Sequence, residues 1–286
     1  MKRNSDVNIL GFDNAYEKAD IVVFGAPFDG TSSYRPGSRF GPSSIRGESF
    51  GIETYSPYLN ADLSDIRGGD LGDLPIPFGD TGIALDMIKN CANEILSDHK
   101  MPVMLGGEHL VTLPAVEAAL KKFPDLCVIQ LDAHTDLRED YMGITLSHAT
   151  VMRRVWDLVG DERIWQFGIR SGERYEFEWA GDHTFLNPFN LNGIEEALKT
   201  INKRPVYLTI DMDVLDPSAF PGTGTPEHGG VSFNELMTFL TKLCGQNIIG
   251  ADLVELSPHY DASGISTAAA CKLLREVALV ISKSET

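Results

Sequence analysis

The sequence contains no long hydrophobic run. A membrane-spanning helix needs roughly 18 or more consecutive apolar residues, and no segment of the 286 residues approaches that length. The polar start of the chain is not followed by the apolar region that a secretory signal contains. We therefore expect a cytoplasmic protein, and neither a membrane protein nor an exported one.

Cysteine is scarce, and its spacing forms no recognisable pair. The four cysteines lie far apart, at Cys91, Cys127, Cys244 and Cys271. No two of them have the short separation of a zinc or redox motif. Reduced thiols packed as small hydrophobic side chains are therefore expected, as is usual in the cytoplasm.

Positive charge is also in short supply. The 24 Lys and Arg residues are outnumbered by 41 Asp and Glu residues, which gives a formal net charge of −17. This charge repels phosphate backbones and anionic lipid surfaces, so nucleic acid and membrane partners are disfavoured and small cations are mildly favoured. With 43% hydrophobic and 23% charged residues, the composition is that of a globular protein with a sizeable core.

Short apolar runs rich in β-branched residues alternate with amphipathic helical patterns. The runs predict strands at 20–25, 102–105, 126–131, 163–169, 205–210 and 248–254. The helical patterns lie at 84–98, 113–122, 149–158, 191–202 and 232–244. Such alternation predicts a parallel sheet covered by helices on both faces. No Ser- and Pro-rich linker divides the chain, so residues 1–286 are predicted to form one α/β domain.

The segment 29–46 is too rich in Gly, Pro and Ser for a regular element, so we predict a long ordered loop there. Tyr34 and Phe40 are residues of a type that is usually buried. They favour a functional loop over a disordered one.

Potential metal ligands follow three of the predicted strands. The strand 126–131 leads into Asp132, His134 and Asp136, at alternate positions that share one face of an extended chain. The carboxyl ends of parallel strands meet at one edge of a sheet, where binding sites are usually found. A cluster of ligands at that edge is therefore predicted.

The other two strands contribute Asp211 and Asp213 after 205–210, and His109 after 102–105. Any one of these pieces alone is more often a turn or a helix cap than a metal site. Together, four carboxylates at one point repel each other unless cations offset their charge. Oxygen ligands with a minority of imidazole nitrogens favour manganese or a similar divalent ion over zinc.

These residues resemble the metal motifs of the ureohydrolase family, the arginases and agmatinases, with bacterial agmatinases the most similar branch. The matching segments are 106–109, 132–136 and 211–217, with further matches at 38–42, 168–170 and 254–258. Only a variable segment of 1–19 lies outside the resemblance. The resemblance implies a three-layer α/β/α sandwich around a mostly parallel eight-stranded sheet, assembled as a homo-trimer or homo-hexamer.

The resemblance also implies two Mn²⁺ ions per subunit. The ligands of one ion would be His109, Asp132, Asp136 and Asp211, and those of the other Asp132, His134, Asp211 and Asp213. Asp132 and Asp211 would bridge the two ions. Glu108 stands where the family often has Asp, and we expect it to support a ligand rather than to be one.

The same resemblance assigns roles in guanidinium hydrolysis. Asp136 would orient a hydroxide, and His148 would pass a proton to the departing amine; the alternative is that His148 only begins a helix, with a capping partner. Glu255 would pair with the substrate guanidinium, for which a carboxylate fork is the natural partner. Its alternative is a structural ion pair with an arginine such as Arg170.

The expected substrate is a small cationic guanidino compound, agmatine first, cleaved to putrescine and urea. Arg138 stands where arginases have an Asn that contacts substrate. It could bind the tail carboxylate of guanidinobutyrate, or pair with Glu139 or Asp140. Aminopropylagmatine and arginine are further candidates, and a formimino or amide hydrolase and a non-catalytic relative remain as alternatives. The roles of three residues near the predicted site stay open: Glu227, His228 and His259.

Overall fold

Eight parallel strands form the central sheet of the computed structural model, which describes residues 8–284. The strands of the described chain are β1 (Ile21–Ala26), β2 (Tyr55–Ser56), β3 (Ala61–Asp62), β4 (Gly68–Asp73), β5 (Met101–Gly106), β6 (Cys127–Leu131), β7 (Ile164–Ile169), β8 (Phe185–Pro188), β9 (Val206–Asp211) and β10 (Ile248–Val254). The sheet order is β4-β1-β5-β10-β9-β6-β7-β8, and β2 pairs with β3 in a separate antiparallel ribbon.

Eight helices surround the sheet in the part of the chain that the structure describes. They are α1 (Gly41–Glu48), α2 (Thr81–Ser97), α3 (Thr112–Lys122), α4 (Val151–Val159), α5 (Arg174–His183), α6 (Ile194–Ile201), α7 (Phe233–Lys242) and α8 (Ile265–Ser282). None of the helices in residues 8–284 has the length and apolar character that crossing a membrane requires.

The two faces of the sheet carry separate hydrophobic clusters, because alternate residues of a strand point to opposite sides. Val23 packs into one cluster with residues of α1, α6, α7 and α8. Its neighbours Val22 and Phe24 pack into the other, with residues of α2, α3, α4 and α5. The predicted α/β/α sandwich with a parallel eight-stranded sheet is therefore confirmed.

The six predicted strands and five predicted helices are present, with ends shifted by a few residues. The sequence did not predict β4, whose residues are Gly-rich, or the four-residue β8. It also missed α8, because nine consecutive residues from Leu273 to Ile281 are buried and so show no amphipathic period. The remaining missed elements are α1, α5, β2 and β3.

The prediction of a loop over residues 29–46 is wrong for the second half of that segment. Helix α1 begins at Gly41, and Pro42 occupies the first turn, where its missing N–H is not needed. Tyr34 and Phe40 are 70% and 46% exposed, so neither anchors the loop in the core. The variable segment predicted at 1–19 lies outside the described residues up to residue 7. Beyond that point, Ile9 and Phe12 are buried in the hydrophobic core.

Candidate metal centre

Four neighbouring strands, β5, β10, β9 and β6, end at the same edge of the sheet and deliver the predicted ligands there. His109 follows β5, and Asp132 follows β6. Asp211 is the last residue of β9, and Glu255 comes directly after β10. The convergence that the sequence implied is thus produced by the strand order.

The carboxylates of three aspartates surround the imidazole of His109. Its Nδ1 lies 3.0 Å from Asp132 Oδ2, 3.1 Å from Asp136 Oδ2 and 3.4 Å from Asp211 Oδ2. The same Nδ1 is buried and makes no well-formed hydrogen bond. A lone pair held among three carboxylates is the arrangement that a divalent cation requires.

A second group of ligands adjoins the first. His134 Nδ1 lies 3.0 Å from Asp213 Oδ2 and 3.6 Å from Asp132 Oδ1. Asp132 therefore offers one oxygen to each group, as a bridging ligand would. The other carboxylate oxygen of Asp211, Oδ1, accepts a hydrogen bond from the backbone N–H of Asp213 at 2.8 Å. A bridging role for Asp211 therefore stays a prediction.

Burial of these charges shifts their pKa values. Burial, followed by the neighbouring Asp132, raises the pKa of Asp136 to about 7, and burial with Asp213 and Asp132 raises the pKa of Asp211 well above its usual range. Burial alone would lower the pKa of His109, but the nearby carboxylates of Asp132 and Asp136 raise it well above its ordinary value. The residues present therefore fit two divalent cations, which would relieve this repulsion.

The chain holds Asp136 in an unusual conformation. Asp136 has φ of +52°, so it is left-handed rather than part of the extended run that its spacing suggested. The backbone carbonyl of Asp136 accepts hydrogen bonds from Met152 and Arg153 at the start of α4. Such a residue costs of order 1–3 kcal/mol and is often found at functional sites.

Two buried glutamines support Asp132, and the sequence analysis missed both. Gln130 Nε2 donates to Asp132 Oδ2 at 2.6 Å, and Gln166 Nε2 donates to Gln130 Oε1 at 2.7 Å. The available signal was a polar residue inside each of two otherwise apolar strands. Buried amides of this kind orient a ligand and fix its charge.

Glu108 lies behind the cluster and not in it. Its carboxylate accepts hydrogen bonds from the backbone N–H and the hydroxyl of Thr31 and from the hydroxyl of Ser32. Burial raises the pKa of Glu108 to about 7, although the bonds from Thr31 act against the rise. Glu108 therefore anchors the loop 29–37 to the floor of the site.

His148 lies in the wall of the cavity that His109, His134 and Asp211 also line. It begins a short helical turn with Ser147 as the cap, as one interpretation of the sequence held, and its ring also lines the same cavity as the metal ligands. Its Nε2 lies 3.1 Å from Ser33 Oγ, and its backbone N–H donates to Thr31 Oγ1 at 3.1 Å. Burial lowers the pKa of His148 to about 4.

Glu255 does not form the ion pair considered for it. Arg170 donates instead to the backbone carbonyls of Asp213 and Glu227. Glu255 Oε1 accepts a hydrogen bond from the backbone N–H of His109 at 2.9 Å, and φ of Glu255 is +66°. Burial and the charge of Glu108 raise the pKa of Glu255 well above its usual range.

Arg138 has partners, but they differ from those considered for it. Its Nη2 lies 3.3 Å from Glu173 Oε1, and its Nε lies 3.6 Å from Glu176 Oε2. Glu139 pairs with Arg153 instead. Pairing with Glu139 or Asp140 is therefore wrong, since Arg138 reaches across to the start of α5.

A cavity of about 340 Å³ joins these groups. Its lining includes His109, His134, Asp136, Arg138, Tyr141, His148, Glu173, Asp211 and Glu255. The three residues left open do not line it: His228 and His259 are exposed, and the backbone of Glu227 binds Arg170. The volume is within the range of about 300–1,000 Å³ typical of small-molecule sites.

Comparison with known proteins agrees with this arrangement. The arginase family model matches residues 19–280. An agmatinase from Bacillus anthracis is 48% identical over 270 residues, covering 93% of each chain, and an N(1)-aminopropylagmatine ureohydrolase from Thermococcus kodakarensis is 36% identical over 248 residues, covering 84% of each. The crystal structure of agmatine ureohydrolase of Thermoplasma volcanium has a TM-score of 0.87 at 38% identity, covering 98% of this chain and 96% of that one.

The resemblance drawn from the sequence motifs is thereby confirmed. The matched span contains every predicted ligand as well as His148 and Glu255. The chain therefore belongs to the arginase family, and within it the chain is an agmatinase-like ureohydrolase.

Proposed function

We propose that the chain is a binuclear manganese hydrolase that cleaves agmatine to putrescine and urea. The observation that carries the proposal is one cavity whose floor offers oxygen and nitrogen ligands and whose wall carries Glu255 and His148. The 48% identity to an agmatinase over 93% of the chain supports the choice of substrate.

The cation ligands in this proposal are those that the motifs predicted. They are His109, Asp132, His134, Asp136, Asp211 and Asp213. Arginases are binuclear metal enzymes, and an oxygen-rich ligand set favours manganese. When two divalent cations are bound there, they lower the pKa of water toward neutrality and so supply a hydroxide nucleophile.

Three side chains of the cavity bind the substrate, orient the nucleophile and transfer a proton. Glu255 pairs with the guanidinium of the substrate, because a buried carboxylate and a planar cation form strong charge-assisted hydrogen bonds. Asp136 orients the nucleophile toward the guanidinium carbon. His148, neutral at pH 7 because of its lowered pKa, takes up the proton of the newly added hydroxyl group and gives it to the amine nitrogen as the carbon–nitrogen bond breaks; the free amine then gains a second proton from solvent. Urea and the protonated amine are the products.

The outer wall favours a cationic tail over an anionic one. Arg138 already pairs with Glu173 and with the buried Glu176, so a tail carboxylate would have to compete with these two partners for it. Glu173 is 57% exposed at its side chain and lines the same cavity. The exposed carboxylate of Glu173 can therefore contact the terminal ammonium group of a substrate, which supports agmatine over guanidinobutyrate.

A substrate panel tests the proposal. The manganese-loaded protein is incubated with agmatine, aminopropylagmatine, arginine, guanidinobutyrate and formiminoglutamate, and urea and amine are quantified. We expect the highest kcat/KM with agmatine. Release of formamide without urea would identify a formimino hydrolase instead. Manganese binding without any turnover would identify a non-catalytic relative.

We also propose one domain over residues 1–286 and a cytoplasmic homo-trimer or homo-hexamer. The single eight-stranded sheet and the family match over 19–280 support the domain. The assembly is tested by light scattering of the purified protein, where a monomer would contradict it.

A further inference from the structure

Asp252 is a fully buried carboxylate in the middle of β10, and the proposed mechanism does not use it. Its Oδ2 accepts a hydrogen bond from the hydroxyl of Tyr207 at 2.9 Å, while its Oδ1 is buried without a well-formed hydrogen bond. Burial raises the pKa of Asp252, and the charge of His109 and the hydroxyl of Thr209 act against that rise. Burying a carboxylate without a full set of hydrogen bonds costs folding free energy, which suggests that Asp252 has a functional role.

Tyr207, which donates the hydrogen bond to Asp252, packs closely against β10. Gly250 lies between Pro102 and Tyr207, and an added Cβ there would stand 3.1 Å from Cγ of Pro102 and 3.3 Å from the ring carbon Cε2 of Tyr207. The flanking residues Ala251 and Leu253 are apolar and buried, so packing in the core does not explain an acidic residue at position 252.

Asp252 lies next to the residue that supports the imidazole of His109. Thr209 on β9 is the register partner of Asp252, and Thr209 Oγ1 lies 2.9 Å from His109 Nε2. The other nitrogen, Nδ1, is the atom that faces the carboxylates of the metal site. A His109 that gives the Nδ1 lone pair to a cation must carry its proton on Nε2 and donate it to Thr209.

The hydroxyl of Thr209 then needs an acceptor for its own proton. Two groups are candidates: Asp252, which is the register partner of Thr209 and whose Oδ1 has no hydrogen-bond partner, and the hydroxyl of Thr112, whose Oγ1 is 3.3 Å from Thr209 Oγ1. A carboxylate is the stronger acceptor of the two, because hydrogen bonds to ionised groups are shorter and about twice as strong as neutral ones. Asp252 is therefore the stronger end point for a chain of donors that starts at His109 and passes through Thr209.

We propose that Asp252, acting through Thr209, is a positioning residue that fixes the tautomer of His109 and so strengthens the binding of the cation that His109 holds. The inference rests on the ligand set of the proposed function. Partners of this kind behind a metal-binding histidine typically change metal affinity by about 10- to 100-fold.

The test is manganese titration of the metal-free, full-length protein by calorimetry, with no substrate present. Asp252→Asn and Thr209→Val should each weaken the binding of one Mn²⁺ per chain by about 10- to 100-fold. Thr209→Ser keeps the hydroxyl and should restore the wild-type affinity. The double variant should bind no more weakly than either single variant, because both changes break one chain of donors.

Two control measurements separate this role from a purely structural one. Tyr207→Phe removes the hydrogen bond that Tyr207 donates to Asp252 and leaves Thr209 and His109 unchanged, so its manganese affinity should stay near that of the wild type. Metal-free Asp252→Asn should unfold at a temperature no lower than the wild type, since Asn still accepts from Tyr207 and carries no buried charge.

The outcomes are distinct. Wild-type affinity in both Asp252→Asn and Thr209→Val would overturn the inference and leave the proposed function standing. Equal weakening in Tyr207→Phe, together with a lower unfolding temperature in every metal-free variant, would show a structural role and also overturn it. A wild-type protein that binds no manganese would overturn the ligand set itself.

Discussion

At the scale of single residues, His134 and Asp213 form the outer part of the metal cluster, with 3.0 Å between Nδ1 and Oδ2. Replacing either with Ala removes one ligand, so we expect loss of one Mn²⁺ per chain and a fall in kcat of about 100-fold or more. Metal content after dialysis and urea release measure the two effects. His183→Ala is the control, because His183 pairs with Asp161 away from the cavity. Two bound ions and normal turnover in His134→Ala would refute the assignment.

Glu255→Gln separates substrate recognition from metal binding. Gln keeps an oxygen for the backbone N–H of His109 but loses the charge that the guanidinium needs. A hydrogen bond to a charged group contributes about 1.5–3 kcal/mol, so kcat/KM for agmatine should fall by about 10- to 100-fold. Manganese content should remain at the wild-type level. Unchanged kinetics would remove Glu255 from the site.

The residues of the candidate metal cluster could be predicted to converge because each lies at the end of a strand or within five residues of it, and the parallel strands end at one edge of the sheet. Their supporting residues could not. Gln166 on β7 donates to Gln130 on β6, so this contact depends on the register between the two strands. The partners of Arg138 were missed for the same reason, since Glu173 lies 35 residues away in the sequence.

At the scale of elements, the turn after β5 depends on close contact with the end of β1. A Cβ at Gly107 would stand 1.8 Å from the backbone carbonyl oxygen of Phe28, and the backbone cannot move away cheaply. Gly107→Ala should displace His109, lower the free energy of unfolding and weaken manganese binding. Chemical denaturation and metal titration provide the measurements.

Gly181→Ala is the matched control for that substitution. Gly181 lies inside α5 with open space around its Cα, so alanine should raise stability by about 0.5–1 kcal/mol through its helix propensity. Equal stability of the wild type and Gly107→Ala would mean that the turn is not needed to place His109.

The elements that the sequence predicted correctly have strong periodic patterns or β-branched apolar runs. Edge strands lack that signal: β4 reads Gly-Gly-Asp-Leu-Gly-Asp, and its place beside β1 is set by pairing and not by composition. Helix α8 is missed for the opposite reason: it is buried on nearly every side, so its sequence has no polar face that would indicate an amphipathic helix. Burial by neighbouring elements is a tertiary property, which explains both misses.

At the scale of the whole molecule, the net charge of −17 and the acidic cavity act in the same direction. Both attract metal cations and cationic substrates, and both make the metal-free protein carry mutual repulsion that folding alone does not relieve. The parallel sheet places this repulsion at one edge, where divalent cations would offset it if they bind as proposed. Metal binding should therefore contribute to the stability of the entire fold.

The pH dependence of that contribution has a definite sign. Asp136 has a folded pKa of about 7, and Asp211 is raised well above its usual range, whereas both titrate near about 4 in an unfolded chain. From about pH 4 upward these two folded carboxyl groups hold protons that the unfolded chain has released, so their contribution to the stability of the metal-free protein falls as pH rises.

Cations compete with those protons for the same carboxylates, so manganese should raise the Tm more at pH 8 than at pH 6. Thermal unfolding with EDTA and with excess Mn²⁺ at both pH values measures the difference. The EDTA series is its own control, because the Tm there should decline from pH 6 to pH 8. An equal rise at the two pH values would mean that the raised carboxylates are not where the metal binds.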